Sequence, residues 1–187
     1  MTDLAYHFTG PLLRDGSSIP PIGHALVFNG EIEICERGYH WSRTPWQALQ
    51  YAPGNLLHLV RVGGTVIEQS DKGVSSERTI VATIDAEPLM RRFAADQALS
   101  VAHLWNMPDV VRDYLTTLQP DMRTAARAAA RDAAWAAAWD AAWAAAWAAA
   151  WDAAVDAARA AARAAAVAAA GFEFNRRVEM AFSGKPA

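Results

Sequence analysis

The densest run of chemistry-bearing side chains is Gly38-Tyr39-His40-Trp41-Ser42-Arg43-Thr44-Pro45-Trp46-Gln47-Ala48-Leu49-Gln50-Tyr51-Ala52. It gathers an imidazole, a guanidinium, hydroxyls and tyrosines, groups that hold a small molecule by hydrogen bonds, charge and ring stacking. Cys35 lies shortly before His40, and a thiol beside an imidazole can act as a nucleophile pair. In an alternating strand, however, a cysteine is a small buried hydrophobe, and that is the expectation here. His40 after a strand end reads first as a hydrogen-bonded turn residue, and His7 as a group closing a sheet edge. His24, His40, His58 and Cys35 lack metal-ligand spacing, so neither a metal nor a cofactor is expected. Asp71-Lys72 reads as a turn, and Glu77-Arg78 as a surface ion pair of little energetic worth.

The elements that position these groups follow from pattern. Residues 1 to about 86 hold most of the Gly and Pro and the β-type runs. Glu31-Ile32-Glu33-Ile34 alternates as a half-buried strand, and Leu56 to Val62 reads as a central strand. Gly63-Gly64 reads as a turn, with Thr65-Val66-Ile67 pairing back as a hairpin. Ser70-Asp71-Lys72-Gly73 is a second turn, and Thr79 to Ile84 a further strand. Pro45 to Tyr51 is a short helix capped by Ser42 or Thr44, with Ala48 and Tyr51 turned inward. The fold class is α+β: a small, mainly antiparallel sheet with one short helix, two connecting helices, then one very long helix. The expected divisions are 1–86 for the ligand-binding module, 87–119 for connecting helices opening at Pro88 and Pro108, 120–171 for the long helix, and 172–187 for a tail.

The long helix is the loudest signal. Arg123, Arg127, Arg131, Trp135, Trp139, Trp143, Trp147, Trp151, Val155, Arg159, Arg163 and Val167 recur at every fourth position in a background of alanine. Alanine is the best helix former, and no Gly or Pro interrupts residues 121–170. A continuous helix of about 50 residues and roughly 75 Å is predicted, ended by Gly171. Each step of four drifts about 40° around an ideal helix, so the tryptophans fan over about 160° of surface. Arginines 123, 127, 131, 159 and 163, with Asp152 and Asp156, fall on a separate charged face. Asp140 and Asp132 project among the tryptophans, where a carboxylate can accept an indole N–H bond. Trp135, Trp139, Trp143, Trp147, Trp151 and Asp140 form the expected interface with further copies of the chain. A period of four exceeds the helix's own 3.6, which favours a bundle or crossed packing over a heptad seam.

The remaining composition excludes more than it assigns. With 187 residues and a net charge of −3, the chain shows no basic stripe for nucleic acid. Asp140 at mid-span argues against a transmembrane helix, and the mixed charged face against one lying on a membrane. One cysteine gives no disulfide framework, and MTDLAYHFTG has no apolar signal core, so a cytoplasmic protein is expected.

Two resemblances add to this reading. Cys35 to His40, Pro45, Ala48 to Gly54, Asp71-Lys72 and Glu77 to Thr79 resemble a family of bacteriophage and prophage proteins. That family also has Ala/Trp-rich helical tails ending in Asn-Arg-Arg, as at Asn175 to Arg177, and brings no established activity. His7 with Thr9, Tyr39 with Ser42, Ala48 with Tyr51, and Glu77 resemble the motif set of ADP-ribosyltransferase-type NAD folds. That resemblance implies that His and Ser/Thr groups hold a ribose, Tyr39 stacks on nicotinamide and Glu77, the candidate catalytic residue, stabilises a ribosyl cation. The stretch from Tyr39 to Glu77 is short for that fold. The expected function is therefore non-catalytic binding, or sequestration, of a nucleotide-like molecule by a phage-type oligomer. The expected contacts are His7, Tyr39, His40, Ser42, Arg43, Tyr51 and Glu77. An ADP-ribosyltransferase or NAD glycohydrolase, and a purely structural assembly protein, are the alternatives.

Overall fold

The computed structural model describes residues 3–148 and 152–184, with side chains outside 139–160. The chain divides into two compact units: residues 1–89 together with 171–187, and residues 90–170.

The first unit is built on five strands, β1 (Leu4–Thr9), β2 (Ala25–Val27), β3 (Tyr39–Trp41), β4 (Leu56–Glu68) and β5 (Gly73–Asp85). All pairings are antiparallel, in the order β1-β4-β5-β2, with β3 also on β5. The apolar run Leu56 to Val62 does occupy a central strand, and Asp71-Lys72 does sit in the β4–β5 turn, closed by Gln69 N–H to Lys72 carbonyl at 2.8 Å. β2 and β3 lie end to end along one edge of β5, at Thr79–Glu77 and Ser75–Gly73. Just after β3 the chain reaches β1: Tyr6 and Ser42 exchange backbone N–H···O bonds of 2.8 and 2.9 Å. The sheet therefore curls until its two edges touch. Ala5, Trp41, Val60, Val62 and Ile80 form the apolar core inside the curl, with Ile19 against them.

Two local expectations are corrected. Gly63-Gly64 is not a hairpin turn, because β4 continues to Glu68 through a bulge. Gly64 takes φ +68, which absorbs the extra residues, and Ser76 Oγ accepts the freed Thr65 N–H at 2.8 Å. Residues 31–34 are not a strand either. Only Ile32 is buried, Glu33 and Arg37 make an isolated bridge, and Cys35 turns left-handed at φ 70.

Helix α1 (Pro45–Leu49) begins where a capping box predicts. Thr44 is the cap: its hydroxyl accepts from Gln47 N–H at 3.2 Å, and Gln47 Oε1 accepts from Thr44 N–H at 3.1 Å.

The second unit contains most of α2 (Glu87–Ser100), all of α3 (Asp109–Thr117) and α4 (Arg123–Ala148), and the start of α5 (Asp152–Phe182). α3 and α4 meet through Met107, Val111 and Ala126, with Ala129 and Ala130 beside them. The first turns of α4 thus bury alanine, leave Arg123, Arg127 and Arg131 exposed as expected, and leave Trp135 66% exposed. Arg92 fastens α2 to the end of α3 by donating to the Leu115 and Thr116 carbonyls at 2.8 and 3.0 Å. The side chains of Trp139, Asp140, Trp143 and Trp147, and all of Trp151, lie outside the described residues.

Gly171 does not end the helix. α5 runs through it to Phe182, and residues 171–184 are not a loose tail but part of the sheet unit. Phe174 and Val178 are fully buried, Phe182 packs against Tyr6, and Phe174 meets Trp46 edge-on at 5.7 Å. Asn175 Oδ1 accepts the orphan Trp46 N–H of α1 at 2.7 Å. A Cβ on Gly171 would come within 2.8 Å of Trp46 Cδ1. Glycine here serves close approach of the helix to an indole, which overrides its weak helix propensity.

Gly171→Ala tests this contact. In an open helix the change stabilises by about 1 kcal/mol. Here the expected gain is cancelled or reversed in urea unfolding, since overpacking costs about 1–3 kcal/mol. Combined with Trp46→Ala, the same substitution is expected to become stabilising. A gain in the wild-type background would refute the tight contact.

Candidate functional site

Strand alternation places His7 inside the curl. In β1, Ala5, His7 and Thr9 share a face, opposite Val60, His58 and Leu56 of β4. His58 is fully buried; its Nε2 pairs with Thr9 Oγ1 and its Nδ1 with Thr83 Oγ1, both at 2.8 Å. A neutral imidazole donates from one nitrogen and accepts at the other, and a hydroxyl suits either role. Burial, helped by the Arg78 charge, pulls the His58 pKa to about 4. His7 keeps partial solvent access although densely surrounded. Its pKa is held well below the ordinary value by burial first, then by Arg78, His58 and His40.

Arg78 is the centre of this cluster, and the sequence reading missed it. It is only 4% exposed, not a surface group. One guanidinium N–H donates to the His40 carbonyl at 2.6 Å, and the group sits 5.4 Å from the Tyr39 ring centroid, a cation–π distance. Its Nε is buried without a partner, and no carboxylate among the described residues lies within ion-pair distance. Burial pulls its pKa down to about 10, partly offset by Tyr39. Arginine is almost never buried unless paired, because desolvating its charge is costly.

His40 is half-buried. Its Nε2 accepts the Cys35 N–H at 2.7 Å, so the ring is hydrogen-bonded as expected, although His40 lies within β3 rather than in a turn. Burial first, then Arg78, Arg14 and Lys72, lowers its pKa and keeps the ring in the neutral form that can accept. Cys35 itself is exposed, contrary to expectation, because the left-handed turn lifts it out of any strand.

The structure thus brings His7, Tyr39 and His40 together around Arg78, but not the other expected contacts. Ser42 is buried and spends its backbone closing the sheet on Tyr6. Arg43 lies over Trp41 at 4.4 Å and makes a two-pronged ion pair with Glu68, both bonds 2.7 Å. Tyr51 is not inward: it is 49% exposed, and its hydroxyl bonds Asp71. The short α1 ends at Leu49, so Tyr51 leaves the face that buries Ala48. Glu77 is exposed and lies against Gly63 and Gly64. Strand neighbours point to opposite faces, so Glu77 turns away from the side that Arg78 occupies. The ADP-ribosyltransferase constellation of His7, Tyr39 and Glu77 is therefore not assembled. What is assembled is a buried cation flanked by neutral imidazoles and a tyrosine, a site suited to hold an anion.

Outside the curl, an open groove of about 460 Å³ is lined by Leu4, Tyr6, Arg43, Leu59, Glu179, Phe182 and Ser183. It takes the alternate residues of β1 and lies apart from the cation. Among the described residues no cluster could hold a metal ion, and no helix is long and apolar enough to cross a membrane.

Residues 5–92 match the sequence profile of a domain of unknown function, DUF7666. That span contains His7, Tyr39, His40, His58 and Arg78, and the Cys35–His40 and Ala48–Gly54 motifs, and stops inside α2. It comes with neither an activity nor a phage association. No curated protein and no solved structure is significantly similar to the chain.

The histidines make stability depend on pH in a defined window. His58 binds a proton near pH 4 when folded, but near its ordinary value of 6.5 when unfolded. Below 6.5 the unfolded state binds more protons, so stability is full above that pH and falls as pH drops toward 4. His7 and His40 act in the same direction. Thermal melts between pH 7.5 and about 4.5 are expected to show a steady fall in Tm, flattened in His58→Gln. A flat wild-type profile would contradict the buried neutral histidines.

Proposed function

We propose that the sheet unit binds a small nucleotide-like anion without turning it over, and that the Trp/Ala helix joins several copies. The single observation that carries the binding reading is the buried Arg78 guanidinium, which lacks a carboxylate partner among the described residues. An anionic group of a ligand supplies the missing countercharge, Tyr39 offers a ring face, and the partly exposed His7 and His40 offer nitrogen atoms. The position of Glu77 favours binding over catalysis, since no described carboxylate faces the cluster to stabilise a developing cation. On the resemblance to bacteriophage proteins, the setting is the host cytoplasm. There an oligomer that retains a nucleotide lowers its free concentration. The exposed Trp135 at the start of the tryptophan series supports the self-association reading.

Isothermal titration with adenosine and guanosine nucleotides tests the site. Arg78→Gln is expected to weaken binding by about tenfold or more, the worth of one hydrogen bond to a charged group. His7→Ala gives a second loss if Arg78→Gln does not fold, whereas Glu77→Gln binds like wild type. Full loss of binding in Glu77→Gln, or turnover that this variant abolishes, would replace this reading with the enzymatic one. For assembly, light scattering of Trp139→Ala/Trp143→Ala/Trp147→Ala is expected to give a monomer where wild type gives an oligomer. An unchanged mass would refute assembly through this helix.

A further inference from the structure

The geometry points to a further binding site, for a small organic ammonium ion, in the groove between β1, β4 and the end of α5. This site is independent of the anion reading, because Leu4 and Tyr6 alternate with Ala5 and His7 and so face the other side of β1. One cavity of about 460 Å³ brings its groups together: Leu4 and Tyr6 from β1, Leu59 from β4, Glu179 and Phe182 from α5, and Arg43. That volume lies within the range of small-molecule pockets, roughly 300–1,000 Å³.

Charge in the groove is unbalanced. Glu179 stands in the last turn of α5 (Asp152–Phe182), and no basic side chain accompanies it there. The C-terminal end of a helix is its negative pole, so a carboxylate in that turn is repelled by the helix end rather than held by it. Among the described residues Glu179 makes no ion pair; Arg176, three positions earlier, is taken by Glu173 through two bonds of 2.8 Å. Arg43 does not supply the missing charge. Glu68 grips its guanidinium through two bonds of 2.7 Å, and the Trp41 ring centroid lies 4.4 Å from its central carbon.

The same groove holds an aromatic corner. The Tyr6 and Phe182 ring centroids are 6.2 Å apart, with the planes inclined at 50°. Ring faces carry the negative side of the aromatic quadrupole and attract organic cations. Leu4 and Leu59 add apolar wall. Burial first, and then the Glu179 charge, raises the Tyr6 hydroxyl pKa, in keeping with a carboxylate close to that ring. A hard metal ion needs several oxygen ligands. One carboxylate, two rings and an aliphatic wall suit instead a cation that carries carbon, an alkyl- or arylalkylammonium.

The test is titration of the full chain with butylammonium and benzylammonium, against butanol and butyrate as neutral and anionic counterparts. Wild type is expected to bind the ammonium probes about tenfold more tightly than butanol, with butyrate weakest, the combined scale of an exposed cation–ring contact and an exposed ion pair. Glu179→Gln is expected to remove about threefold or more of that preference. Phe182→Leu, which keeps apolar wall but not the ring, removes a similar share. Glu179→Gln is also expected to melt no lower than wild type at neutral pH, since it relieves the repulsion at the helix end. Glu36→Gln, exposed and outside the groove, leaves the preference unchanged. Equal binding of butylammonium and butanol, a preference that survives Glu179→Gln, or no saturable binding of either ammonium probe at high millimolar concentration overturns the site. None of these outcomes bears on Arg78.

Discussion

A guanidinium held by one carbonyl and one ring, with no described acid beside it, sits where the five strands curl toward each other. Much of the sheet unit's geometry meets at that bond. Arg78 on β5 grips the carbonyl of His40 on β3, and the next turn of chain carries Ser42 onto Tyr6 of β1. The sheet closes because β3 is held on both sides, and His7 is enclosed because β1 is one of those sides. A buried cation in that place also fixes the protonation of its neighbours: three imidazoles stay neutral, each through burial with Arg78 as a contributing charge. Fold and protonation share one group, so the cost of desolvating it is set against the architecture it holds together.

The other face of the sheet depends on a different kind of contact, close packing with little charge. Trp46, the first side chain after the proline of α1, is met by Gly171 and Phe174 of α5, and its backbone N–H by Asn175. The short α1 is therefore fixed by residues more than a hundred positions later in the chain (129 for the Asn175 bond). Two neighbouring segments, β3 and α1, thus carry different duties: one holds Arg78 and adds Trp41 to the core, the other receives the helix.

Fold class was legible in the sequence because alternation, turn dipeptides and a capping box are local signals. Thr44 with Gln47, the Asp71-Lys72 turn and the apolar β4 run were all readable in this way. The failures share a cause, which is that tertiary contact decided them. Gly63-Gly64 has the composition of a turn, yet the pairing of β5 on both sides keeps the strand going through a bulge. Gly171 has the position of a helix end, yet its role is set by an indole far away in sequence. Arg78 beside Glu77 looks like a surface pair; only the phase of the strand, which puts Arg78 beneath Tyr39 and His40, shows otherwise. That phase was available in principle, since Arg78 and Ile80 alternate with Glu77 and Thr79. Residue type and neighbourhood single out His7, Tyr39 and His40, whereas the facing of Ser42, Arg43, Tyr51 and Glu77 depends on strand phase and helix length that local sequence does not show.

The sheet unit is assembled from the two sides of an interruption: residues 1–89 and 171–187, with the helical unit between them. A ribosome delivers these pieces in order. The strands emerge first with Trp46 and Tyr6 lacking their partners, then the whole of residues 90–170 is made, and only afterwards do Phe174, Val178 and Phe182 arrive to cover them. Domains that emerge early usually fold early. Here the early one must wait, with an uncovered apolar face, until translation is almost past α5. During that interval the alanine-rich helical segment is already outside the ribosome and able to form locally. In the living cell, the order of synthesis therefore favours the helical unit as the first to become structured and the sheet unit as the last.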